Sequence, residues 1–167
     1  MKFNLTPHIG TETIKLGMSR DEIRSILGEP NHTTEKSTFE YGDFSLPVPA
    51  KDGFFQNELQ VTYDDNNHSD YFEFVGRNAQ NIEVAVEGID VFNLPARVLL
   101  TKITEVTGAQ YDKMDSEIPF TFTYKDLDLA FWRQAIPEVD EESEEVPEND
   151  EGKYFWVVGI GIKGYYA

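Results

Sequence analysis

Leu16-Gly17-Met18-Ser19-Arg20-Asp21-Glu22-Ile23-Arg24-Ser25-Ile26-Leu27-Gly28-Glu29-Pro30 spells a helix with both of its ends written in. A serine followed three positions later by glutamate is a capping box. The Ser19 hydroxyl accepts the backbone N–H of Glu22, and the Glu22 carboxylate reaches back to the N–H of Ser19. Ile23, Ile26 and Leu27 then fall on one face, with Arg20, Asp21, Arg24 and Ser25 as the polar back. Gly28 and Pro30 stop the helix. Such a short element, Ser19 to Leu27, is not stable alone and must lie on something.

The runs that follow supply a sheet. Thr38 to Leu46, Glu58 to Tyr63 and Tyr71 to Val75 all read as strands. Leu59, Val61 and Tyr63 share one face and Glu58, Gln60 and Thr62 the other, the pattern of a half-buried strand. Asp64-Asp65-Asn66-Asn67-His68-Ser69-Asp70 has the chemistry of a hairpin turn. Farther on, Gly88 to Phe92 leads into a second helix from Leu94 to Thr107, closed by Gly108. Pro95 suits its first turn, and Val98 or Leu99, Ile103 and Val106 form its stripe. Phe120 to Tyr124, Asp126 to Arg133 and Tyr154 to Ile162 complete the strands.

The second set of elements can be laid on the first. Glu58-Leu59-x-Val61-x-Tyr63 matches Asp126-Leu127-x-Leu129-x-Phe131, and Tyr71-Phe72-x-x-Val75-Gly76 matches Tyr154-Phe155-x-x-Val158-Gly159. A competing register sets Thr38-Phe39-x-Tyr41-x-Asp43 on Thr121-Phe122-x-Tyr124-x-Asp126; the first is favoured because it ties neighbouring strands to the preceding helix. The predicted architecture is α+β: a single domain over 1–167 of two similar halves, 1–80 and 81–167, each a short helix packed on an antiparallel β-sheet.

Charge narrows the partners. The chain of 167 residues has 14 Lys and Arg against 31 Asp and Glu, a net charge of −17. Such a chain repels phosphate backbones and anionic lipid, so no nucleic-acid or membrane partner is expected, and a basic protein partner is. With 40% hydrophobic residues it has the material for a core. The absence of cysteine excludes disulfide scaffolds, Cys-zinc sites and thiol nucleophiles. Met1 to His8 has no apolar core of signal-peptide length, so a cytoplasmic location is expected. The segment 137–152 concentrates the charge: nine acids and no base lie between Glu138 and Glu151. A run of this kind repels itself and is expected to be a mobile loop, serving either solubility or attraction of a basic partner.

Motifs of catalysis are absent or incomplete. Gly159-x-Gly161-x-x-Gly164 spells a dinucleotide fingerprint, but no helix follows it; its glycines serve close approach or a bend in the last strand. His8, His32 and His68 have no second histidine at metal-ligand spacing. The Asp65 to Asp70 run lacks the glycine and the glutamate of a calcium loop. The reading therefore assigns no catalytic residue, no metal site and no cofactor, and the chain is expected not to be an enzyme.

The Leu16 to Pro30 run resembles the helix-opening motif of BamE-like (SmpA/OmlA) domains and of the tandem-repeat β-lactamase-inhibitor fold. The resemblance implies short helices on an antiparallel sheet and a binding module. A lipoprotein's acylated cysteine is not there. Leu129-Ala130-Phe131-Trp132-Arg133, an acidic spacer, then Gly152-Lys153-Tyr154-Phe155-x-x-Val158-Gly159-x-Gly161-x-x-Gly164-Tyr165-Tyr166 resembles small bacterial proteins of toxin-immunity loci. Both resemblances imply a binding module; taken with the acidic charge, the expected function is an immunity or inhibitor protein that occludes a basic partner such as a toxin. The alternative is a BamE-like assembly or adaptor module.

The overlay also assigns faces. Leu127, Leu129 and Phe131 face the helix, leaving Asp126, Asp128, Ala130 and Trp132 on the open side. Phe155, Val157, Gly159 and Gly161 point one way, and Tyr154, Trp156, Val158, Ile160 and Ile162 the other, so that Trp156 stands where the first half carries Glu73. Both tryptophans then lie on a face the first half keeps polar. That face is either an aromatic interface or, if covered, core. The expected partner-binding residues are Trp132, Trp156 and Tyr165 as anchors, with Glu141, Glu142, Glu144 and Glu145 supplying charge.

Overall fold

The computed structural model describes all 167 residues. In chain order the elements are β1 (Lys2–Leu5), α1 (Arg20–Leu27), β2 (His32–Thr34), β3 (Ser37–Tyr41), β4 (Phe44–Val48), β5 (Ala50–Phe54), β6 (Leu59–Tyr63), β7 (Ser69–Val75), β8 (Glu83–Val86), β9 (Ile89–Asp90), α2 (Ala96–Thr107), β10 (Thr121–Tyr124), a 3₁₀ turn (Lys125–Leu127), β11 (Leu129–Trp132) and β12 (Val157–Gly161). The fold is mixed α+β, mostly sheet. A seven-stranded antiparallel sheet runs β10-β11-β12-β7-β6-β5-β2, a smaller one runs β1-β8-β9, and β3 and β4 pair only with each other.

The first helix forms as its sequence dictates. Ser19 caps it, the reciprocal Glu22 bond is made, and Gly28 closes it at φ 87°. Only Ile23 of its stripe is fully buried, however; Leu27 packs at the edge of the core and Ile26 is exposed. Arg20, read as solvated, is buried and reaches Asp52 on β5. In α2 the buried residues are Ala96, Leu99, Leu100 and Ile103, while Val98 and Val106 are exposed. That stripe is shifted because the helix packs against β9 and the sheet along its Leu99–Ile103 side.

One continuous core joins Ile23, Leu99 and Ile103 to Phe3, Leu5, Val84 and Val86 of the small sheet. It also takes in Leu59, Val61, Phe72, Phe74, Leu129, Phe131, Val158 and Ile160 of the large sheet. Helices and small sheet therefore cover one face of the large sheet, each fully buried Leu, Val or Phe there contributing roughly 1.5–3 kcal/mol. The opposite face carries Gln60, Thr62, Tyr71, Glu73, Val75, Ala130, Trp132, Val157 and Gly159.

The strand ladders follow neither sequence overlay. Val61 pairs with Phe72, but its overlay partner Leu129 pairs with Ile160, and Phe155 lies before β12 begins. In the competing register, β3 belongs to a separate hairpin and β10 to an edge of the large sheet. Thr38 to Leu46, read as one strand, turns back on itself at Gly42-Asp43. Asp126 and Leu127 belong to the 3₁₀ turn. Strand, helix and three-stranded meander occur in that order over β1, α1 and β5–β7, and again over β8, α2 and β10–β12, the two meanders meeting at β7 and β12.

Candidate functional site

The open face of the large sheet is shaped by a glycine. Gly159 on β12 stands directly opposite Glu73 on β7. A Cβ at Gly159 would lie 1.6 Å from the Tyr71 hydroxyl, so the missing side chain is what lets Tyr71 lie across the strand. The C-terminal residues hook back over that ring. Tyr165 stacks on Tyr71 with centroids 4.5 Å apart and planes 17° apart, and the Tyr71 and Tyr166 hydroxyls share a hydrogen bond of 2.7 Å. The hook is tied down by Asp128, whose carboxylate accepts the backbone N–H groups of Gly164 and Tyr166 and faces the His8 imidazole at 3.0 Å.

Beside this hook lies a trough of about 380 Å³, lined by Tyr71, Tyr166, Trp132, Val157, Ala130 and Glu73, with Gly159, Phe131 and Thr121. Burial raises the Tyr71 phenol far above its usual range, with the neighbouring Tyr166 adding to it, and pushes Tyr166 up to about 12. Burial, then Asp70 and Glu73, raises Tyr165. All three stay neutral, so the one charged residue that lines the trough is Glu73.

A second exposed surface stands apart from the sheet. In the β3–β4 hairpin Phe39 faces Leu46 and Tyr41 faces Phe44 across the strands. Directly opposed residues share a side, so all four lie on one face. They are 56%, 47%, 78% and 57% exposed respectively, and no other element covers them. The base of the arm is held: Arg20 pairs with Glu35 at 3.0 Å, and Lys36 pairs with Asp65. The only charges on the arm are Glu40 and Asp43.

The structure separates the expected binding residues. Trp132 is 41% exposed and lines the trough, and Tyr165 is 42% exposed on the Tyr71 ring. Trp156 precedes β12, is half-buried and does not line the trough. The face assignment of the last strand is reversed: Val158 and Ile160 are core, while Val157 and Gly159 look outward. The overlay failed there because β12 starts only at Val157 and pairs with β7 around the Gly159–Glu73 centre.

The acidic segment is also not a free loop. Arg133, wholly buried, donates to Glu141 at 2.8 and 2.7 Å and to the carbonyls of Pro119 and Gly152, and Arg97 adds a third bond to Glu141 at 2.9 Å. Burial raises the Glu141 carboxyl, but the two guanidiniums outweigh it and hold it below its ordinary value. Glu148 accepts from Lys153 and Tyr154, Asp150 caps the N–H groups of Glu138 and Gly152, and Val146 is buried. Of the four glutamates expected to face a partner, Glu142, Glu144 and Glu145 are exposed and Glu141 is an internal anchor.

The hairpin arm and the Tyr71–Tyr166 pair were missed in the sequence. The Tyr41-Gly42-Asp43-Phe44 turn within an apolar run was the available sign of the first; nothing local announced the second. No helix is long and apolar enough to cross a membrane. Comparison with protein-family models, with curated proteins and with solved structures found no match.

Proposed function

We propose that this chain is a protein-binding module of the immunity or inhibitor type, which occludes a basic partner and uses the β3–β4 arm as its principal contact. The carrying observation is the face of Phe39, Tyr41, Phe44 and Leu46. A two-stranded ribbon with an uncovered apolar face is marginal in water by itself, and a contiguous apolar patch of aromatic residues is what a partner covers. The sign of the partner follows from the net charge of −17 and from Glu40, Asp43, Glu142, Glu144 and Glu145 on the surface. Like charge disfavours a second copy of the chain, and opposite charge accelerates association. We also propose that the chain is built of two similar halves. The repeated order of strand, helix and meander, and the meeting of the meanders at β7 and β12, support that reading.

The test is capture from the host's own lysate with the full chain and with the Tyr41→Ser/Phe44→Ser double variant. A basic protein retained by the first, released by salt and lost with the second, is the expected outcome. Equal retention by both, retention of an acidic protein, or no specific retention overturns the proposal.

A further inference from the structure

We infer that the trough on the open sheet face is a receptor for one arginine side chain of the partner protein, its guanidinium held against the Trp132 ring and paired with Glu73. The inference rests on the reading above and names what the open face would take from such a partner.

The fold itself shows the arrangement in two other places. Arg20 lies over the Tyr63 ring, 5.2 Å from its centroid, and donates to Asp52 at 2.8 Å. Arg97 and Arg133 lie near the Phe122 ring, at 5.0 and 5.6 Å from its centroid, and both donate to Glu141. In each case a guanidinium is set between an aromatic ring and a carboxylate, the environment its flat, weakly hydrated, fork-shaped cation suits best. At the trough the ring and the carboxylate are both present, and no cation of this chain joins them.

Glu73 is half-buried and enters none of the chain's ion pairs. Its cross-strand neighbours are Gly159 and Gln60, neither of them basic. An incoming guanidinium can supply the charge-assisted hydrogen bonds that this carboxylate lacks. No arginine of the chain is free to supply them: Arg20 and Arg24 are on Asp52, Arg97 and Arg133 on Glu141, and Arg77 lies over the Tyr154 ring at 3.8 Å. The small Ala130 and Gly159 and the apolar Val157 leave a smooth lining for a planar group, and the Tyr71 and Tyr166 hydroxyls, bonded to each other, add no positive charge beside it.

The experiment is an NMR titration of the full chain with acetyl-Gly-Arg-Gly-amide, following the indole N–H of Trp132, with that of Trp156 as internal reference. Acetyl-Gly-citrulline-Gly-amide, isosteric and uncharged, is the control. Saturable, millimolar-range binding that moves Trp132 and leaves Trp156 in place is expected. The citrulline peptide and the Glu73→Gln variant should each weaken it by about tenfold or more. A thermal melt of Glu73→Gln matching the parent establishes that the variant is folded. Equal binding of the citrulline peptide, full affinity in Glu73→Gln, or a shift of Trp156 alone overturns the inference. Failure of this titration with arm-dependent capture intact removes the trough alone, whereas loss of arm dependence with the titration intact removes the reading of the hairpin.

Discussion

Arg133 and Glu141 form a two-pronged ion pair, at 2.8 and 2.7 Å, that ties the acidic segment to the body of the protein. The arginine is wholly buried and the glutamate nearly so. Its worth lies less in net stability than in what happens when one partner is removed, because a buried charge left alone costs far more than the pair contributes.

Glu141→Gln is therefore expected to destabilise the fold by about 3–5 kcal/mol, with new proteolytic cleavage between residues 137 and 152. Glu142→Gln and Glu144→Gln, both exposed, should stay within about 0.5 kcal/mol of the parent. Urea unfolding and limited proteolysis of the three variants check the contrast.

Stability should fall with acid. Burial raises the Asp52 carboxyl, but the hydrogen bonds from Arg24, Arg20 and Thr33 outweigh it and carry it well below the usual carboxylate range; Glu141 is lowered in the same way. A carboxylate lowered in the folded state binds its proton more readily when unfolded. Its contribution is present above the unfolded pKa, near 4, and is lost as pH falls toward the folded value. Melting temperatures should hold above about pH 5 and drop steeply below pH 4, and Asp52→Asn should flatten that drop. A drop of unchanged steepness in Asp52→Asn would count against this assignment.

Asp70 runs the other way. Burial, then the charge of Asp64, raises its carboxyl, and its Oδ1 is buried without a hydrogen-bond partner. A raised carboxylate is a penalty on the folded state above its folded pKa, and the penalty disappears as the group protonates. Asp70→Asn is expected to stabilise the protein at pH 7, with the gain vanishing in acid. A parallel pair of melting curves at pH 7 and pH 4 decides it.

Gly159→Ala should disturb the trough and leave the core in place. The added methyl would displace Tyr71, breaking its bond to Tyr166 and its stack on Tyr165. A loss of about 1–3 kcal/mol is expected, together with a changed near-ultraviolet circular dichroism signal from the tyrosines. An unchanged spectrum would show that the ring is held by something other than the gap at Gly159.

Substitutions on the arm and in the core should separate cleanly. Tyr41→Ser is expected to shift global stability by less than about 0.5 kcal/mol, because its ring is uncovered. Phe74→Ala, in the middle of the core, should cost about 3–5 kcal/mol. Chemical denaturation of the two variants compares them directly.

The local signals were strong where the physics is local. Ser19 with Glu22, Gly28 and Gly108 set the helix ends, because a cap is satisfied by residues a few positions away. Leu59, Val61 and Tyr63 announced a buried strand face because side chains alternate along any extended chain. Trp132 was readable as an open-face residue for the same reason. Trp156 and Glu141 were not: the first depends on where β12 begins, the second on two arginines 8 and 44 positions away.

Amino-acid order alone thus determined the capped helices, the period of the strands, the excess of acid and the lack of sulfur chemistry, all properties of neighbours along the chain or of simple totals. Only the tertiary structure decided that Thr38 to Leu46 folds into a free arm, that Arg133 gathers in the acidic segment, and that Tyr71, Trp132 and Glu73 share one trough. Those relations join residues far apart in sequence, and their geometry is set by strand register and by the competition of buried charges for partners, which no short-range pattern records.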